Sequence, residues 1–102
     1  MSQRTSPLRL LLLTPGYPPL PGGGERYVRE LAQELARRGV RVTAVSTHAR
    51  AEPDFWRGAP APLAHETDAD TRGGAVTLVR CPVRPFPGGR PGLLAWRKLM
   101  VL

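Results

Sequence analysis

Four unlike segments follow one another near the start of this 102-residue chain, and their order restricts the fold more than any other feature. Residues 8–13 read LRLLLL and stop at Thr14-Pro15-Gly16. A run so short, ended by a proline, predicts a strand covered on both faces within a parallel sheet rather than a helix. Residues 14–24, TPGYPPLPGGG, hold four prolines and four glycines, a composition that no helix or central strand accommodates, so they form a loop. The next stretch, ERYVRELAQELARRG, sets Val28, Leu31, Ala32, Leu35 and Ala36 on one apolar helical face. Glu25 stands near the positive end of that helix and Arg37 and Arg38 near its negative end, while Gly39 suits a left-handed exit. Glu25 with Arg29 and Glu34 with Arg38 are spaced as i, i+4 ion pairs. A β-branched run, VRVTAVS over residues 40–46, supplies a second strand. Strand, loop, helix and strand in that order cross over right-handed and leave the two strands parallel. The expected fold class is therefore α/β, with a Rossmann-like parallel sheet.

Beyond this unit the pattern weakens. Residues 48–74 have no clear period and are rich in Ala, Pro, Asp and Gly, which predicts a long irregular excursion with one helical turn near Phe55 and Trp56. AVTLVR over residues 75–80 predicts a third strand, closed by Cys81-Pro82. A second irregular stretch, PVRPFPGGRPG, leads to LLAWRKLMVL, where Leu93, Leu94, Trp96, Leu99, Met100 and Leu102 begin an amphipathic helix with no capping residue after it. The expected organisation is a disordered segment over residues 1–7 and one truncated Rossmann-like domain over residues 8–102.

Charge and cysteine content narrow the partners. A net charge of +7 and a pI near 11.3 raise nucleic acid or an anionic surface as a partner. Fourteen of the fifteen basic residues are Arg, however, and they are spread from Arg4 to Arg97 without a dense run, so no nucleic acid is expected; a peripheral membrane contact stays open. Steeply salt-dependent binding would mark the basic-module alternative. Cys81 is the only cysteine, which excludes an intrachain disulfide and a cysteine-built metal site. The apolar run Leu10 to Leu13 is far too short for a signal peptide or a membrane span, and a cytoplasmic location is expected.

In an open α/β sheet, ligands bind beyond the carboxyl ends of the strands, and the loop after the first strand is the usual phosphate seat. Here that loop ends in Gly22, Gly23 and Gly24, directly before a helix N-terminus whose free amides and dipole favour an anion. The same glycines could serve only to turn the chain into the helix. No GxGxxG is present, and the second strand runs into Ser46-Thr47-His48 without the carboxylate that would hold a nicotinamide-nucleotide ribose. No Gly-Lys-Ser or Gly-Lys-Thr follows the glycines, so a P-loop is absent too. Another kind of Rossmann-like nucleotide-binding enzyme would reveal itself by binding NAD or ATP.

The run from Leu10 to Ser46, LLLLTPGYPPLPGGGERYVRELAQELARRGVRVTAVS, resembles the opening of GT-B glycosyltransferases of family four, and AVTLVRCPV is similar to the third strand of that family. Val40 departs from the pattern, which commonly has His after the helix-ending glycine. The resemblance implies the incomplete N-terminal, acceptor-side half of a retaining glycosyltransferase, with a nucleotide-sugar donor, a hydroxyl acceptor and no metal or other cofactor. It assigns the donor diphosphate to Gly22 and Gly23, leaves Gly24 at a variable position, and puts Tyr17 and Glu25 in the crevice as possible acceptor-side residues. Ordinary loop packing for Tyr17 and dipole complement for Glu25 are the competing roles. The nucleotide-binding domain with its paired glutamates and the catalytic histidine of the family have no counterpart here, and neither His48 nor His65 matches that histidine. The 102 residues alone are expected to be inactive, and poorly stable because the first strand is central in a doubly wound sheet.

Overall fold

The computed structural model describes residues 8–101. The expected disordered segment over residues 1–7 lies outside them. The elements in chain order are β1 (Arg9–Leu13), α1 (Gly23–Arg37), β2 (Arg41–Thr47), α2 (Asp54–Arg57), β3 (Ala64–Ala69), β4 (Ala75–Cys81) and α3 (Gly89–Val101). They build one four-stranded sheet in the order β1-β2-β4-β3. β1 pairs parallel with β2, and β2 parallel with β4, with Leu12 opposite Ala44 and Ala44 opposite Leu78. The strand, loop, helix and strand unit read from the sequence is thus present with its strands parallel and is extended by a third parallel strand, giving the Rossmann-like α/β class.

β3 was not legible in the sequence. It pairs antiparallel with β4 inside the segment expected to be irregular, and it makes the sheet mixed. Its residues, AHETDA, are mostly exposed and poor in β-formers, so neither propensity nor alternation marks it. It forms because it is the outer arm of a hairpin. The turn is held by Asp70, whose carboxylate accepts the amides of Arg72 and Gly74, each at 2.9 Å, and whose own amide donates to the Gly74 carbonyl at 2.8 Å. The expected helical turn near Phe55 and Trp56 is α2.

The core lies between α1 and one sheet face. Val42 and Ala44 of β2 and Val76 and Leu78 of β4 alternate onto that face, where Ala32 of α1 and Tyr17 of the loop cover them. Val28, Leu35 and Ala36 flank the contact, while Leu31, expected on the apolar face, is exposed. β1 also departs from expectation. Leu10 and Leu12 are partly covered, but Leu11 and Leu13 are 60% and 74% exposed. The reason is positional: β1 is an edge strand, α1 packs over β2 and β4, and α3 packs on α2 instead of on the sheet. α1 leaves through Gly39 at φ +93°, as its sequence position required.

Leu78 is the largest aliphatic side chain with almost no exposure, set in β4 between β2 and β3 on the face that α1 covers. Leu78→Ala is expected to cost about 2–5 kcal/mol, read as a fall in the urea midpoint without a change in slope.

Candidate functional site

The loop from Thr14 to Gly22 is anchored before it reaches α1. The Thr14 amide donates to the Val45 carbonyl at 3.0 Å, continuing the β1–β2 ladder by one residue, and the Thr14 hydroxyl donates to the Gly16 carbonyl at 2.8 Å. From β2, the Thr47 hydroxyl donates to the Pro15 carbonyl at 2.7 Å. From β4, the Arg80 guanidinium donates to the Pro18 carbonyl at 2.6 Å and to the Thr47 carbonyl at 3.2 Å. Arg80 also pairs with Glu66 of β3 at 3.0 Å and lies 5.8 Å from the centre of the Tyr17 ring.

Tyr17 is 1% exposed and belongs to the core. Its hydroxyl donates to the Asp68 carboxylate, which accepts two further bonds from Arg29 of α1 at 2.9 and 3.0 Å. Burial, reinforced by Asp68, pushes the Tyr17 phenol above its usual range, so it keeps its proton and acts as a donor. Burial raises Asp68, but the bonds from Arg29 and Tyr17 outweigh it and hold the carboxyl below the ordinary carboxylate range. Tyr17 therefore takes a packing role, and it also lines a depression of about 380 Å³ with Pro18, Arg29, Glu66 and Arg80. Arg29 serves this cluster instead of the expected pair with Glu25, whereas Glu34 does pair with Arg38 at 2.8 Å.

At the mouth of α1, Arg26 is the first residue whose amide closes a helical bond, to the Gly22 carbonyl at 3.2 Å. Among the described residues the amides of Gly23, Gly24 and Glu25 have no acceptor, and no side chain caps the helix. Gly22 has φ +149°, a conformation side chains rarely adopt, and a Cβ there would overlap the Glu25 carboxylate. A Cβ on Gly23 or Gly24 would meet nothing within 4 Å. Gly22 is thus needed for the turn, while Gly23 and Gly24 keep the helix end open. The Glu25 side chain folds back over Gly16 and Gly22, placing its charge at the positive end of the dipole.

A depression of about 350 Å³ adjoins this helix end, lined among others by Pro15, Gly16, Pro21, Glu25, Glu52 and Phe55. Pro15 and Gly16 follow the carboxyl end of β1, and Glu52 and Phe55 follow that of β2, the edge where open α/β sheets bind ligands. Residues 22–100, from the turn glycine through α3, match the family described as Glycosyl transferase 4-like domain. The chain belongs to that family. No curated protein and no solved structure matches it.

Within this glycosyl transferase 4-like domain, sequence reasoning missed Asp68, Glu66 and Glu52, which sit in a stretch with no readable period. Arg80 did carry a signal: it shares strand parity with Val76 and Leu78, and is accordingly buried. Arg29, Arg37, Arg38 and Arg80 all form internal ion pairs, so part of the basic excess is structural. His48 bonds the Pro62 carbonyl at 2.7 Å and His65 lies exposed on β3. Among the described residues no three His, Cys, Asp or Glu side chains gather as metal ligands, and no helix is long and apolar enough to cross a membrane.

Because the folded-state value of Asp68 is depressed, its contribution is present above the unfolded carboxyl value near 3.8 and is lost as pH falls through the folded value. Asp68→Asn is expected to cost about 1–3 kcal/mol at neutral pH. The difference in melting temperature from wild type should shrink as the pH is lowered from 5 toward 2; a constant difference would contradict the charged role.

Proposed function

We propose that this chain is part of the acceptor-side domain of a retaining GT-B glycosyltransferase, which moves a hexosyl group from a nucleotide-sugar donor to an acceptor hydroxyl. The observation that carries the reading is a trio of unpaired amides at the mouth of α1, next to a depression at the sheet's carboxyl edge that Glu25 helps to line, in a chain of the glycosyl transferase 4-like family. As the bond from sugar to diphosphate breaks, negative charge grows on the leaving diphosphate oxygens. Fixed donors aimed at that position stabilise the charge without reorganising. The open flanks of Gly23 and Gly24 let those oxygens approach the backbone, and Gly22 sets the direction of the turn.

Gly23→Val tests the reading in the enzyme that contains this domain. A Cβ there has no neighbour within 4 Å, so the side chain starts in open space and occupies the diphosphate approach. Turnover is expected to fall by about 100-fold or more, comparable to loss of one oxyanion donor. Unchanged donor KM and kcat would remove the loop from the mechanism.

Glu25 competes with the diphosphate for the same positive helix end, so it must swing aside when the donor binds. Glu25→Gln is accordingly expected to tighten inorganic pyrophosphate binding by about two- to fivefold, equivalent to about 0.3–1 kcal/mol. Weaker pyrophosphate binding, measured by calorimetry, would instead give Glu25 a favourable role at the crevice.

A further inference from the structure

The two helices outside the sheet enclose a second cavity. α2 and α3 pack on each other, and between them runs a groove of about 660 Å³ whose apolar wall is Phe55 and Trp56 from α2 with Leu93, Leu94 and Trp96 from α3. Its size and mainly apolar lining suit a small organic ligand. The groove is braced from outside. Phe86 meets Trp96 edge to face at 6.1 Å between centroids, and the Phe86 amide donates to the Trp56 carbonyl at 2.9 Å.

Two guanidiniums share this wall. Arg90 lies 5.7 Å from the centre of the Trp56 ring, and Arg97 projects from the next turns of α3. None of the five ion pairs among the described residues uses either of them. From Cys81 to Leu102 the sequence contains no Asp or Glu that could neutralise them. An aromatic, apolar slot with two cations outside any ion pair is complementary to a molecule with an apolar body and one anionic group.

The groove also adjoins the depression at the mouth of α1, because Pro15, Glu52 and Phe55 line both. Glu52, the one carboxylate on the groove wall, stands at that shared end. It disfavours the anionic group there and orients it away from the diphosphate seat.

We propose that this groove binds the acceptor, and that the acceptor is a single-chain amphiphilic anion, with its apolar body between α2 and α3 and its phosphate or carboxylate on Arg90 and Arg97. Its role as acceptor rests on the transferase reading; its binding does not.

Trp56 and Trp96 are the only tryptophans in the chain and both line the groove, so selectively excited tryptophan emission reports on it. Titration with dodecyl phosphate below its micelle concentration should give a saturable, single-site change in emission. Arg90→Gln/Arg97→Gln should weaken binding about tenfold or more, with the thermal melt unchanged. Dodecyl maltoside and inorganic phosphate should each bind at least about tenfold more weakly than dodecyl phosphate, since each lacks one half of the recognised chemistry. Equal binding of either probe, or an unaffected double variant, would overturn the proposal. So would a response to phosphatidylglycerol vesicles without one to the monomer, which would make the face a bilayer contact. Gly23→Val separates the two readings: if it leaves turnover intact while dodecyl phosphate still binds, the transferase reading falls and the groove stands; if it abolishes turnover while dodecyl phosphate does not bind, only the groove falls.

Discussion

The Asp68 carboxylate is the joint on which the glycine-rich loop depends. It takes the Tyr17 hydroxyl from the loop and two N–H groups of Arg29 from α1, and it is carried by β3. Three pieces of chain distant in sequence thereby meet at one partly buried charge. Arg80 completes the clamp from the other side by holding the Pro18 carbonyl and facing the Tyr17 ring. Such a network is worth having only when every member is satisfied, because a buried charge deprived of its partner is strongly destabilising. Here the loop residue Tyr17 is both a core side chain and a member of that network. The direction in which the chain enters α1 is consequently set by packing as well as by backbone conformation.

That rigidity bears on charge at the helix mouth. Amides held in a fixed direction stabilise a developing anion better than amides that must first be ordered. Glu25, on a flexible side chain, supplies a negative charge at the same end of the dipole, and Glu52 adds another across the depression. The two carboxylates work against indiscriminate anion capture at this helix end. The adjoining groove between α2 and α3 has the opposite electrostatic character, with Arg90 and Arg97 on an aromatic wall. The carboxyl edge of the sheet thus presents an acidic depression and a basic, apolar groove side by side.

The parts legible in the sequence were those with a strong local period or a strong local exclusion. β2 and α1 announced themselves through alternation and through the spacing of Val28, Ala32, Leu35 and Ala36, and the loop through prolines and glycines that nothing else tolerates. The glycines were correctly associated with the helix mouth, although Gly23 and Gly24 lie within α1 and only Gly22 makes the turn. β3 escaped because a mostly exposed edge strand of polar residues has no period of its own. Leu11 and Leu13 misled in the other direction, since an apolar run says that burial is favourable without saying which strand a helix will cover.

What the sequence by itself determined is the unit of strand, loop, helix and strand, and the glycine turn, because each follows from the preferences of residues near in the chain. Only the tertiary structure decided that Tyr17 turns inward to Asp68, that Arg29 abandons Glu25 for β3, and that Trp56 and Trp96 face each other's groove with two arginines beside them. Those outcomes depend on which distant groups arrive at the same place, and a charge or ring chooses its partner by proximity and desolvation after folding, not by spacing along the chain.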